Sequence, residues 1–231
     1  MSEPHPVKPV ARADRRGAEA AAAGEAAARN WWRRVPRVVT DPRSVFAALS
    51  ATDDADVDAR SEPILAIAIL AGIGGVLLTP AWGRLMDDPS VDALTATVIT
   101  FIAGVFYGAA GYFLLGLALW LGAKAVGVDA PFRIARHVLG FAALPLALSL
   151  VVLVPAIVIG FGADWFRSWD GENGTGHDVV VGIGVAFLAW SLGLVALGLR
   201  TTFELPWRGV VGALALAGVM VAAFAVLPTA L

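Results

Sequence analysis

Five long apolar stretches constrain most strongly what this chain can fold into. An α-helix needs roughly 20 apolar residues to cross about 30 Å of hydrocarbon, and each stretch is close to this length or longer. A surface helix of a soluble protein keeps one polar face, which these stretches do not have. The sequence therefore predicts an all-α, polytopic membrane protein with five transmembrane helices. The predicted spans are residues 63–82, 93–123, 138–162, 179–199 and 209–227.

The charged residues predict how the rest of the chain is organised. They make up 16% of the sequence and lie mostly in residues 1–62 or in the loops. Residues 1–28 are of low complexity and rich in Ala, Pro, Glu and Arg, so we predict a disordered cytoplasmic arm. Residues 29–62 are expected to form a basic and aromatic interfacial segment followed by a solvated acidic hinge. Residues 63–227 then form the transmembrane domain.

Basic residues beside the spans predict the orientation of the protein. Short loops on the cytoplasmic side of a membrane carry an excess of Lys and Arg. In this chain alternate sides of the predicted bundle carry eleven and two such residues. The richer side includes the segment before the first span. We therefore predict a multi-pass protein of the cell membrane with its N-terminus in the cytoplasm and its C-terminus outside.

The segment before the first span interleaves aromatic and basic side chains, which suits a membrane surface with anionic headgroups. We expect its tryptophans, with Phe46 and Leu49, to enter the interface. A second basic group leads into the third span together with His137. It is either a site for a lipid headgroup or phosphate on the cytoplasmic face or, as we favour, a determinant of topology with snorkelling side chains. The expected membrane-surface anchors are Trp31, Trp32, Arg33, Arg34, Arg37, Arg133 and Arg136.

Small residues and prolines predict how the spans pack. Gly104 and Gly108 form a small-xxx-small pair with Gly111 near the same face, which is typical of close helix contacts. We favour packing within the bundle, and the alternative is an interface with homo- or hetero-oligomeric membrane partners. Gly140 and Pro145 are further candidates for packing, and Pro145 and Pro155 are each expected to bend the third span.

Several classes of chemistry have little support in the sequence. The chain has no cysteine, so a disulfide or a thiolate site is excluded. His5, His137 and His177 are far apart, and the predicted spans hold no clear acidic or basic residue, unlike those of ion-coupled carriers. We expect no catalytic residue, cofactor, metal or nucleic-acid partner.

Short motifs along the chain resemble those of the YIP family of Ypt/Rab-interacting membrane proteins, which carry a Yip-one domain. They are DPRSVF at 41–46, GFAALP at 140–145, WSL at 190–192, GLR at 198–200 and WR at 207–208. The similarity covers about residues 37–227. It implies a five-helix bundle, a cytoplasmic N-terminus and, in eukaryotic members, contact with Rab-type GTPases. The N-terminal arm does not contain the Asp-Leu-Tyr-Gly-Pro-like segment of those members, so GTPase binding is not expected here and a prokaryote-like member fits better.

The expected function is therefore that of a non-enzymatic membrane scaffold or adaptor, which organises the membrane or recruits partners. The alternative is a small transporter or channel subunit. A polar path through the bundle would separate the two, and Thr95, Thr97, Thr100, Tyr107 and Tyr112 are the candidates to line one.

Overall fold

The computed structural model describes residues 10–50, 54–77, 80–162, 165 and 175–226. These residues are overwhelmingly helical, and no strand occurs among them. Residues 1–9 of the predicted arm lie outside this description. The helices are α1 (Val10–Arg34), α2 (Arg37–Thr40), α3 (Pro42–Ala48), α4 (Asp54–Leu77), α5 (Pro80–Asp87), α6 (Ala93–Ala125), α7 (Phe132–Ala142), α8 (Leu144–Phe161), α9 (Thr175–Thr202) and α10 (Trp207–Val226).

Four helical segments in the described chain are long and apolar enough to cross a membrane, where the sequence predicts five. They are Asp56–Leu77, Leu94–Ala125, Phe132–Phe161 and Gly176–Thr202. The fifth predicted span coincides with α10, whose described apolar stretch, Trp207–Met220, is shorter. The chain is thus a multi-pass helical membrane protein, and the count of five is not confirmed.

The first span begins earlier than predicted. Helix α4 is continuous from Asp54, with Pro63 inside it, although the sequence predicts a solvated acidic hinge before residue 63. The hinge prediction is therefore wrong for residues 54–62. Acidic side chains near a helix N-terminus are stabilised by the helix dipole, so an aspartate-rich segment extends the helix rather than breaking it.

The third span contains a break next to its first proline. Helix α7 ends at Ala142 and α8 begins at Leu144, with Pro145 in the first turn of α8. Proline has no backbone N–H and its ring clashes with the preceding turn, which is why the helix is interrupted here. At Pro145 the predicted bend is thus seen as an interruption of the helix, whereas Pro155 lies inside the continuous helix α8. The two helices count together as one span.

The N-terminal arm is helical where disorder was predicted. Helix α1 contains 25 residues, so the expectation of a disordered arm is not confirmed for residues 10–28. Its run of alanines has the highest intrinsic helix propensity, and its end docks on the protein. Helix α3 forms as predicted: Asp41 caps it by accepting a hydrogen bond from the Ser44 amide, and Pro42 opens it.

The helices pack into one bundle in which α4 lies at the centre. Helix α4 contacts α6 most extensively and also packs on α8 and α1. Helix α6 contacts α10 and α7, whereas α9 packs on α7, α8 and α3. The end of the bundle that carries α1–α3 is called the arm end below. It also holds the beginnings of α4, α7 and α10 and the ends of α6 and α9.

Candidate functional site

The arm end is organised around one tryptophan. Trp31, near the end of α1, is fully buried, and its ring stacks on Phe141 of α7 with centroids 5.7 Å apart. Its indole Nε1 donates a 2.7 Å hydrogen bond to Asp56 Oδ1 at the beginning of α4. One side chain therefore joins α1 to two membrane-crossing helices.

A buried arginine lies beside this tryptophan. The Arg60 side chain has no exposed surface, and its Nη1 donates a 3.1 Å hydrogen bond to the Leu49 carbonyl after α3. It also lies 3.9 Å from Asp56 Oδ2 and 5.7 Å from the Trp31 ring centroid. A buried charge is tolerated only when it is paired and hydrogen-bonded, so Arg60 and Asp56 depend on each other.

The two arginines predicted before the third span lie on α7, within a helical span. Arg133 is half-buried. The Arg136 guanidinium lies over three rings, 5.4 Å from the centroid of Tyr112, 4.7 Å from Phe113 and 4.8 Å from Phe132. Both arginines lie outside the predicted span 138–162 but inside the helical segment Phe132–Phe161, because the helix begins before the purely apolar stretch.

The predicted surface anchors separate into buried and exposed groups. The side chains of Trp31, Phe46 and Leu49 are fully enclosed by protein, so these residues do not anchor the chain in lipid. Trp32 is 43% exposed, with its Nε1 3.4 Å from Glu62 Oε2. Arg34 lies 4.5 Å from the Trp31 ring centroid. Arg33 and Arg37 are exposed as well. Anchoring of the chain to lipid by Trp32, Arg33 and Arg37 stays a prediction.

The predicted packing glycines lie in the contact between α4 and α6. A Cβ atom at Gly108 would meet the Ala68 carbonyl, and one at Gly104 would meet Ile73. Gly72 of α4 faces both glycines in return. These glycines therefore let two backbones approach closely inside the monomer.

The other two glycines predicted to pack differ from each other. Gly111 has nothing within 4 Å of the position its Cβ would take, so it makes no close contact. At Gly140, a Cβ would meet the Ile64 side chain and, at 3.2 Å, Tyr112 Cε2. Gly140 therefore allows α7 to pack closely on α4 and α6.

A lateral groove opens between α6 and α9. It encloses about 210 Å³ and has α4, α7 and α8 as its floor, with Gly72, Gly140 and Ala143 among the small residues that line it. Helices α6 and α9 make no extensive contact with each other along their described lengths, and α10 contacts both of them. Its rim carries the partly exposed side chains of Tyr107, Leu115, Leu188 and Leu192.

The family model for the Yip1 domain matches residues 37–227 of this chain. The chain belongs to the Yip1 domain family. No curated protein and no solved structure matches it. The match begins at α2 and ends just beyond α10, so the Yip1 domain includes every described helix except α1.

The motifs that resemble the family meet at and near the arm end of this Yip1 domain. Phe46, from the first motif, packs close to Gly198 of α9, and its carbonyl accepts a 3.0 Å hydrogen bond from Thr202 Oγ1. Ser191 Oγ donates a 2.6 Å hydrogen bond to the Ala142 carbonyl at the break between α7 and α8. The motifs therefore supply contacts between helices, which is a structural role.

Sequence reasoning missed the groups that join the arm to the Yip1 domain. Asp56 and Arg60 both fall in residues 29–62, for which the sequence predicts an interfacial segment and a solvated hinge, because this part is polar and lies outside the apolar stretch. The one available signal was their separation of four residues, which places an acid and a base on the same helical face. Ser191 gave no signal, since a lone serine in an apolar helix has no local pattern.

Proposed function

We propose that this Yip1 domain protein is a non-enzymatic membrane scaffold or adaptor that uses α1 to recruit a protein partner. The observation that carries the proposal is the division of α1 into two parts. Its end is held in the bundle by Trp31, whereas residues 17–19, 21–23 and 25–26 are exposed. A helix that is fixed at one end and open along its length presents a defined surface away from the membrane-crossing helices.

The chemistry of the open part of α1 suits protein contact. Its side chains are mostly alanine, so a partner helix can approach closely at little entropic cost. Charges interrupt this surface at intervals, including Glu25, which lies 3.7 Å from Arg29 in an exposed pair. An exposed pair contributes little to stability, so it is free to exchange for charges on a partner.

The proposed orientation places α1 in the cytoplasm. The basic asymmetry supports an N-terminus inside, and α10 is proposed as the fifth span, with 20 residues in its helix. Five spans put the C-terminus outside. A reporter that is active only in the cytoplasm should be silent when fused after Leu231 and active when inserted after Val128. The opposite result at both sites would overturn this topology.

Site-specific crosslinking tests the recruiting role. A photo-crosslinking residue at Ala22, which is exposed on α1, should give a discrete protein adduct in native membranes. The same residue at Val219, which is exposed on α10, serves as the control and should give mostly lipid adducts. If Ala22 yields no protein adduct while liposomes that contain the protein pass a small solute, the transporter alternative replaces the scaffold.

A further inference from the structure

We propose that the lateral groove between α6 and α9 binds one anionic phospholipid, with an acyl chain in the groove and the phosphate at Arg136. This site is independent of the recruiting surface on α1. It rests on three observations: the shape and lining of the groove, the surroundings of Arg136, and the contact of that arginine with Tyr112, which lines the groove.

The groove has the size and chemistry of an acyl-chain site. Its volume of about 210 Å³ is below the roughly 300–1,000 Å³ of pockets that hold drug-sized molecules. Its lining on α7 and α8 runs from Leu139 to Leu146, which is about 10 Å at 1.5 Å per residue. The lining consists of Ala, Gly, Leu, Val and Tyr side chains with Ser191, whose hydroxyl already donates to the Ala142 carbonyl, so a chain segment meets a mostly apolar surface.

Arg136 retains unused capacity for hydrogen bonding. The three rings stabilise the cation through their faces, but they provide no oxygen or nitrogen acceptor for its five N–H groups. Its Nε is buried and has no hydrogen-bond partner within the described chain. No acidic residue of that part of the chain pairs with it. A phosphate oxygen would accept hydrogen bonds from the two Nη groups of Arg136, which, unlike Nε, are not among the buried atoms of the described chain that have no partner.

The position of Arg136 joins the two features. It lies one helical turn before Leu139 and Gly140, which line the groove, and its guanidinium sits over Tyr112, which lines the groove as well. Phe113, another of its aromatic contacts, is 49% exposed. A lipid phosphate can therefore approach Arg136 from the bilayer while the attached chain lies in the groove. Basic positions between transmembrane helices recognise anionic headgroups in this way.

Photoactivatable lipids test the site directly in the full-length protein. The probes are phosphatidylglycerol and phosphatidylcholine with the same diazirine-labelled acyl chain, reconstituted in phosphatidylcholine vesicles. Peptide mass spectrometry should find the phosphatidylglycerol label on the groove rim, at Leu115, Leu188 or Leu192, several times more often than the phosphatidylcholine label. Soluble glycerol phosphate should not compete, because it has no chain to fill the groove.

Two pairs of variants separate the headgroup from the chain. Arg136→Gln should lower phosphatidylglycerol labelling about fivefold, to the level of phosphatidylcholine, whereas Arg136→Lys should retain part of the preference. Gly111→Leu should block labelling by both probes, since Gly111 lines the groove and has open space at its Cβ position. Gly193→Leu is the matched control, because Gly193 has the same open space on α9 but does not line the groove.

The outcomes decide the proposal in either direction. Equal labelling by the two probes in the wild type, or no effect of Arg136→Gln, would show a groove without headgroup recognition and would overturn it. Labelling that survives Gly111→Leu would mean that the chain lies elsewhere. Competition by glycerol phosphate would indicate a site for a soluble anion instead. Melting temperatures of all four variants in detergent show whether each has folded before its labelling is compared.

Discussion

The indole N–H of Trp31 and the carboxylate of Asp56 form a 2.7 Å hydrogen bond between residues that are 25 positions apart. The bond connects the end of α1 to the beginning of the first span. Since Asp56 also lies 3.9 Å from the buried Arg60, the tryptophan orients a carboxylate that an enclosed cation needs. The attachment of α1 and the burial of Arg60 are therefore parts of one arrangement.

Replacing Trp31 should release α1 from the bundle. Trp31→Ala removes a fully buried ring and should reduce the free energy of unfolding by about 3–5 kcal/mol. Hydrogen exchange in detergent should show loss of protection in α1 before any loss in α6. Trp31→Phe is the control: it retains most of the stacking on Phe141 but loses the bond to Asp56. Trp31→Phe should reduce the free energy of unfolding less than Trp31→Ala does. Equal reductions in the two variants would mean that the packing of the ring contributes nothing.

The glycines of α6 offer a matched pair for testing helix packing. Gly108→Ala should destabilise the bundle by about 1–3 kcal/mol, because its Cβ would meet the backbone of α4 at Ala68. Gly111→Ala has open space and should be neutral or slightly stabilising, since alanine favours the helix by up to about 1 kcal/mol. Thermal unfolding in detergent distinguishes the two. Equal stability of both variants would contradict the close α4–α6 contact.

The glycines within α1 should weaken it for a purely local reason. Gly17 and Gly24 have nothing within 4 Å of the positions of their Cβ atoms, so alanine fits at both. Each Gly→Ala change should stabilise the helix by up to about 1 kcal/mol and slow amide exchange on both sides of the substitution. Protection in α4 should stay unchanged. Faster exchange in α1 would show that one of these glycines is needed for a bent conformation.

The cap of α6 should respond to acid. Asp92 accepts a 2.7 Å hydrogen bond from the Thr95 amide, which lowers the pKa of its carboxyl below the ordinary value of 3.8. The stabilisation is complete above the ordinary value and is lost as the pH falls through the lowered pKa. Carboxyl NMR in detergent should give a midpoint below 3.8 for Asp92. Asp92→Asn keeps an acceptor oxygen at this position, so the stability of its helix cap should not depend on pH. A titration midpoint of Asp92 above 3.8 would contradict the hydrogen bond from the Thr95 amide.

Local sequence determined the elements of this protein. Apolar stretches of about 20 residues form membrane-crossing helices whatever surrounds them, because backbone groups in hydrocarbon must be satisfied within the helix. Asp41 with Pro42, and the break at Pro145, follow from equally local chemistry. The order of short motifs along the chain was enough to indicate the Yip1 domain family. Each of these features depends on neighbours in sequence, which is why it could be predicted.

Only the tertiary structure decided which surfaces those elements bury. A tryptophan beside arginines suits lipid headgroups and a protein core equally well, and the stacking of Trp31 on Phe141 depends on a helix more than 100 residues away. The same applies to Arg60, whose burial requires the Leu49 carbonyl and Asp56 at once. The groove exists because α6 and α9 pack on common neighbours instead of on each other. Such relationships arise from the simultaneous packing of several helices, and no local pattern in the sequence encodes them.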